Sequence, residues 1–170
     1  TQPGDTLLKF GGGGDILYCT DRDDPDPHFY VDLHTIPDRW LINGCMAASG
    51  SFVKWFAAEL GNDASLADLD ADAATVPPGS DGIVALPYLL GEKTPIFDPM
   101  ARGVFAGIML HHTRAHLYRA VLEAVCYGFR HHLELLATSG RTIRQVVAAD
   151  GGSRSPLWMQ IAADVTGQEV

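Results

Sequence analysis

Alternating apolar and polar positions predict strands in the first third of the chain. Residues 6–20 read as two short strands joined by four glycines, Gly11, Gly12, Gly13 and Gly14. Glycine reaches backbone angles that are closed to other residues, so such angles are open to this hairpin loop. Two further runs read as strands, residues 29–33 and residues 83–89, and the second of these is the most strand-like segment of the chain.

Apolar positions three and four residues apart predict helices in the middle of the chain. A helix is predicted over residues 51–60, with Phe52, Trp55, Phe56 and Leu60 on one face, and Gly61 ends it. A second, acidic and exposed helix is predicted over residues 64–74. The longest periodic stretch runs from Thr113, a suitable N-cap, to about Ala137, before Gly140. Its apolar face consists of Leu117, Val121, Val125, Phe129 and Leu133.

The chain closes with a predicted strand–turn–helix unit. Residues 142–148 form an apolar run, and residues 156–166 have helical periodicity. Ser155 is a suitable N-cap, Pro156 suits the first helical position and Gly167 suits the end of the helix. A hairpin, then helices, then this unit predict a mixed α/β domain.

Composition narrows the classes of function. The 170 residues are 46% hydrophobic and 19% charged, which is typical of a folded domain. The net charge of −9 argues against a sequence-independent nucleic-acid binder. No apolar run approaches ~18 residues, and no signal-like segment opens the chain, so we expect no membrane association. Three widely spaced cysteines indicate reduced thiols, a cytoplasmic location and no catalytic cysteine.

Two glycine-rich loops are the candidate binding sites. Asp150, Gly151, Gly152 and Ser153 lie between a strand and a helix N-terminus, a position where backbone N–H groups can bind an anion. The loop Gly11–Gly14 exposes successive N–H groups that can form a phosphate nest. For each loop, a plain turn without a ligand is the alternative.

Familiar nucleotide and metal motifs are missing. The segment GEKT at residues 91–94 lacks the upstream glycine of a Walker A loop, and no G-x-G-x-x-G opens a helix. His112 and His116 lie four residues apart beside His111, but no cysteine or carboxylate completes a ligand set at a familiar spacing. We therefore expect no metal-ligating residues.

Residues 91–123 resemble the second signature of the FGGY family of carbohydrate kinases. The matching positions are Gly103, Phe105, Gly107, Ile108, His116, Leu117, Ala120, Val121, Leu122 and Glu123. Residues 3–16 are similar to the hairpin that opens the family's C-terminal domain and contacts ATP phosphates. Residues 146–167 are similar to its adenosine motif, and residues 43–56 to the segment between. The resemblance covers the whole chain.

The resemblance implies a ribonuclease H-like, actin-like ATPase fold, an α/β domain with a mixed sheet and flanking helices. Residues 1–170 would be the C-terminal nucleotide-binding domain, without the N-terminal sugar-binding domain and the last C-terminal helices. The implied ligands are ATP and Mg²⁺, bound near Gly11–Gly14 and Asp150–Ser153, and a sugar such as the ketopentose xylulose. The catalytic Asp base would precede Thr1, so the fragment alone would be inactive. A homodimer is compatible with the resemblance.

Two departures leave a second function open. Gly12 and Gly13 stand where the family often has Thr and Ser, which removes hydroxyl contacts to phosphate. Asp150 replaces the first of three glycines in the adenosine motif, where a carboxylate reaches a ribose hydroxyl or crowds the site. The alternative to a kinase is a non-catalytic, kinase-derived domain used for association or regulation.

Overall fold

A five-stranded mixed sheet forms the centre of the domain. The computed structural model describes residues 1–170. The sheet consists of β1 (Asp5–Phe10), β2 (Gly14–Thr20), β3 (Tyr30–Leu33), β4 (Trp40–Met46) and β7 (Gln145–Ala149). Their order is β3-β4-β2-β1-β7. All neighbours are antiparallel except β1 and β7, which run parallel with Lys9 opposite Ala149. A separate two-stranded ribbon pairs β5 (Val84–Leu86) with β6 (Val104–Ala106).

Four α-helices accompany the sheet: α1 (Gly50–Leu60), α2 (Leu66–Ala74), α3 (Arg114–Thr138) and α4 (Pro156–Thr166). The core lies between one face of the sheet and the helices α3 and α4. Phe10 on β1 is its centre, with ring centroids 4.7 Å from Phe129 on α3 and 5.1 Å from Trp158 on α4. No helix is both long enough and apolar enough to cross a membrane.

The helix boundaries follow the predicted capping residues. Ser155 accepts a hydrogen bond from the N–H of Trp158 at 3.1 Å, Pro156 begins α4, and Gly167 ends it with φ 67°. Thr113 precedes α3, and its backbone N–H donates to Nδ1 of His116 at 3.2 Å. These ends depend on contacts within a few residues, which explains why the sequence predicts them correctly.

The structure corrects four details of the pattern-based prediction. The strand predicted over residues 83–89 shrinks to three residues, and β4 and β6 were not predicted. In α1 the buried residues are Phe52, Val53 and Phe56, whereas Trp55 and Leu60 are 39% and 43% exposed. Leu117 is only partly buried on α3. The apolar period marks a helix face, but the neighbouring elements decide how much of that face they cover.

Helix α3 also buries an ion pair. Arg119 Nε donates to Glu123 Oε1 at 2.8 Å, and both side chains are less than a tenth exposed. The other oxygen of Glu123 accepts from the hydroxyl of Ser80 at 2.8 Å, while Oε1 also accepts from the N–H of Gly79. Both charges therefore have partners, as burial requires. The pair fastens the turn before β5 to the middle of α3.

Candidate functional site: two glycine loops at one edge of the sheet

The first glycine loop is held by its carbonyl groups, which leaves its N–H groups free. The loop proper is Gly11–Gly13, because Phe10 pairs with Gly14 across the hairpin. The carbonyl of Gly11 accepts from Gly50 N–H at 2.7 Å, and that of Gly12 accepts from Ser49 and Ser51 N–H at 2.9 and 3.0 Å. The N–H groups of Gly11, Gly12 and Gly13 donate to no acceptor in the chain. Three successive donors of one loop are therefore available to an anion.

Close packing, and not unusual backbone angles, explains the glycines of this loop. None of the four has a left-handed φ, so the loop does not use the angles that glycine alone makes available. A Cβ on Gly13 would lie 2.9 Å from the carbonyl oxygen of Met46, and one on Gly14 would lie 2.6 Å from Cε of the same residue. At Gly12 a Cβ would meet nothing within 4 Å. Gly13 and Gly14 therefore allow β4 and α3 to pack against the hairpin.

The second loop leaves β7 at Asp150 and leads into α4 through a single 3₁₀ turn, Gly151–Arg154. Asp150 has φ 74° and ψ −172°, a backbone conformation that is almost restricted to glycine. A Cβ on Gly152 would lie 2.5 Å from the ring of Trp158 and 2.7 Å from Cβ of Phe10. The close approach of the loop to the core thus requires glycine at position 152.

Strand pairing brings the two loops together. Because β1 and β7 are parallel neighbours, their carboxyl ends meet at the same edge of the sheet, although the loops are about 140 positions apart in sequence. Together they line a cavity of about 620 Å³, within the usual range for small-molecule sites. Of the residues predicted from the sequence, the cavity is lined by Gly11, Gly12, Asp150, Gly151 and Gly152.

The other three predicted residues lie beside the cavity. Gly13 belongs to the loop and contributes one of its free N–H groups. Gly14 is buried in β2 against Phe129. The hydroxyl of Ser153 donates to the carbonyl of Asp150 at 2.7 Å, so that it closes the turn.

Sequence reasoning missed the wall opposite the glycine loops. The structure adds residues from three helices to the cavity, among them Lys54, Leu66, Asp70 and Tyr118. Asp70 accepts from the hydroxyls of Ser155 at 2.6 Å and Tyr118 at 3.1 Å, and so links α2, α3 and the cap of α4. Burial is the main cause of a raised pKa for Tyr118, which keeps its hydroxyl protonated. No local pattern marks these residues as part of a site. The sequence of α2, for example, predicts only an acidic, exposed helix.

Two basic side chains at the cavity are free of ion pairs. Lys54 on α1 and Arg154 in the second loop both line it, and neither contacts a carboxylate. Lys54 and Arg154 offset the two carboxylates that also line the cavity, Asp70 and Asp150, so that the site is not strongly acidic although the chain has a net charge of −9.

The histidine cluster does not fit a metal ion. A carboxylate is present after all, since Asp81 Oδ2 lies 2.9 Å from His111 Nε2 and 3.5 Å from His112 Nε2. However, His112 Nδ1 accepts a hydrogen bond from Met109 N–H at 2.9 Å, so the ring proton is on Nε2. That nitrogen has no lone pair for a metal. His116 is occupied as the cap of α3.

The cysteines are not activated. Burial raises the pKa of the Cys19, Cys45 and Cys126 thiols, so that none favours the thiolate at neutral pH.

Known proteins with a similar domain are sugar kinases. Residues 16–170 match the family described as FGGY family of carbohydrate kinases, C-terminal domain. The chain is 34% identical over 144 residues to xylulose kinase of Lactococcus lactis, covering 84% of this chain and 28% of the relative. It is 30% identical to gluconokinase of Bacillus subtilis, covering 99% and 35%. The crystal structure of xylulose kinase from Rhodospirillum rubrum superposes with a TM-score of 0.92 at 50% identity, covering 99% and 34%. The chain thus spans about a third of the length of these relatives.

Proposed function

This chain belongs to the FGGY family of carbohydrate kinases, and from that premise we propose that it is the nucleotide-binding part of an ATP-dependent sugar kinase. One observation carries the proposal. The two glycine loops meet at the carboxyl ends of parallel strands, and one of them offers three free N–H groups in succession. Ligands of open α/β sheets bind at such an edge, and phosphates bind to such donors.

In this proposal each loop binds a different part of ATP. The N–H groups of Gly11–Gly13 donate to phosphate oxygens, and Lys54 and Arg154 supply long-range attraction. The bare backbone of Gly151 and Gly152 lets the adenosine lie against the loop. The wall formed by α2, with Leu66 and Asp70, bounds the cavity on the other side.

Phosphoryl transfer needs more than a bound nucleotide. The acceptor hydroxyl must be oriented in line with the γ-phosphate, and a base must take its proton. We propose that the base and most sugar contacts belong to an N-terminal domain, as the family resemblance implies, and that Mg²⁺ accompanies ATP. The whole enzyme would act in the cytoplasm. A ketopentose such as xylulose is the proposed substrate, because two of the three relatives described above are named xylulose kinases.

Calorimetry on the 170-residue chain tests the proposal. We expect the chain to bind Mg-ADP and to show no phosphorylation of xylulose in a coupled assay. Arg154→Ala should weaken Mg-ADP binding by about two- to fivefold, the effect of one exposed charge. Arg39→Ala is the matched control, because Arg39 lies beside β4 at the opposite end of the sheet.

Two results would count against this function. A folded chain that binds no adenine nucleotide would favour the non-catalytic, regulatory alternative. Turnover of xylulose by the chain alone would show that the base lies within residues 1–170.

A further inference from the structure

Asp150 occupies a backbone conformation that only glycine adopts without strain. At φ 74° and ψ −172° the Cβ atom of any other residue is crowded, so the aspartate costs stability at this position. Gly151 and Gly152 follow directly, so the loop already contains glycine at the next two positions. A strained residue at the edge of a binding cavity points to a role for its side chain.

The carboxylate of Asp150 lies between the two loops and has no hydrogen-bond donor in the chain. Its Oδ2 atom is 2.8 Å from the point where a Cβ of Gly11 would be, so it faces the start of the first glycine loop. The nearest cation is Lys9, whose Nζ is 4.0 Å away but only 3.0 Å from Asp15. Lys9 therefore pairs more closely with Asp15, and the half-exposed Asp150 carboxylate has only this one shared cation within 4.0 Å.

This charge stands beside the donors that would receive phosphate. A free nucleotide bound to the N–H groups of Gly11–Gly13 would place negative oxygens near a carboxylate that shares its nearest cation with Asp15, and like charges at close range repel each other. A divalent cation on the phosphates reverses the sign of the interaction. Mg²⁺ prefers hard oxygen ligands and binds through one or two carboxylates together with phosphates and water, so a half-exposed aspartate fits it.

We propose that Asp150 makes this site selective for metal-complexed nucleotide over free nucleotide. Its carboxylate repels the uncomplexed phosphates and attracts the Mg²⁺ that accompanies them. This inference rests on the nucleotide-binding function proposed above, and it assigns to one residue a selectivity that the glycine loops alone do not have.

The test compares the effect of Mg²⁺ on ADP binding before and after a single substitution at Asp150. ADP binding is measured by calorimetry in Mg²⁺ and in EDTA, for the unmodified chain and for Asp150→Asn, which keeps the side-chain size and removes the charge. Mg²⁺ should strengthen ADP binding by about tenfold more in the unmodified chain than in the variant. Most of that difference should come from tighter binding of free ADP to Asp150→Asn.

Two further variants and one further ligand complete the design. Asp38→Asn is the matched control, because Asp38 is also an exposed aspartate with positive φ, 58°, but lies in the turn between β3 and β4. It should leave the effect of Mg²⁺ unchanged. Asp150→Gly removes the strain together with the charge, so it should fold at least as stably and lose the same metal dependence. Adenosine, which carries no phosphate, should bind equally to all four proteins.

The outcomes distinguish a failure of the inference about Asp150 from a failure of the proposed nucleotide-binding function. An equal effect of Mg²⁺ in the unmodified chain and both Asp150 variants overturns the inference while leaving nucleotide binding intact. Weaker adenosine binding in Asp150→Asn also overturns it, since the carboxylate would then contact the ribose. If no protein binds ADP under either condition, the proposed function fails and the inference fails with it.

Discussion

Gly152→Ala tests most directly whether the second glycine loop is packed onto the core. The added methyl group would lie 2.5 Å from Cζ3 of Trp158 and 2.7 Å from Cβ of Phe10. Neither neighbour can move easily. Trp158 is 3% exposed and its indole N–H donates to the carbonyl of Leu122 at 3.1 Å, while the Cβ of Phe10 is fixed by β1. The loop must therefore shift, which should cost about 1–3 kcal/mol, the usual effect of overpacking.

Gly151→Ala is the matched control in the same loop. A Cβ at position 151 would meet nothing within 4 Å, and its backbone does not have a positive φ. This substitution should leave the stability unchanged or raise it by up to about 1 kcal/mol, because alanine restricts the unfolded chain.

Urea unfolding followed by tryptophan fluorescence measures both variants. Trp158, one of three tryptophans, lies under the loop, so part of the emission reports on the disturbed contact, and circular dichroism confirms that each variant folds. Gly152→Ala should also weaken Mg-ADP binding, since the loop lines the cavity. A free energy of unfolding within about 0.5 kcal/mol of that of the unmodified chain would refute the reasoning. Changes of that size are usual for surface substitutions that create no close contact.

The remaining predictions concern the first loop, the core and one buried histidine. Gly12→Ser should be neutral because its Cβ has free space, whereas Gly13→Ser should cost about 1–3 kcal/mol against the Met46 carbonyl; thermal unfolding compares the two. Phe129→Ala, at a fully buried site, should cost about 3–5 kcal/mol in urea, and a loss below 1 kcal/mol would contradict its place in the core. Burial lowers the pKa of His132 to about 4. Below about pH 6.5, the ordinary pKa of histidine, the unfolded chain therefore binds more protons than the folded chain. The contribution of neutral His132 to the free energy of unfolding is fully present above this pH, and about 3 kcal/mol of it is lost as the pH falls to 4. In His132→Gln this slope should be smaller, whereas in exposed His131→Gln it should fall only slightly, because burial is the main cause of the lowered pKa of His132 and the charge of His131 is a lesser one.

Local interactions explain what the sequence determined by itself. The hairpin of β1 and β2, the helices α1, α3 and α4, and the cap formed by Ser155 and Pro156 all depend on residues within a few positions of one another. Their apolar periods and capping residues therefore predict them without knowledge of distant contacts. The signature over residues 91–123 likewise identified the family from sequence alone.

Strand β4 shows where the local pattern becomes misleading. Gly44 interrupts the apolar positions of this strand, yet the residue is paired inside the sheet opposite Ile16. A Cβ there would lie 2.5 Å from the ring of His132 on α3. The glycine is thus required by a helix 88 positions away, and only the packed structure reveals the reason.

The candidate site itself was decided by tertiary structure. Local patterns mark two glycine loops, and the family resemblance predicts that both face one cleft, which the structure confirms. No local pattern shows the cause, which is that β1 and β7 are parallel neighbours, because strand pairing depends on how the whole chain packs. That pairing places the Asp150 carboxylate beside Gly11 and turns two separate loops into the rim of one cavity. Helices α1 and α2 then add Lys54 and Asp70 to the lining of this cavity. Their positions follow from the packing of the helices around the loops, which no local sequence pattern predicts.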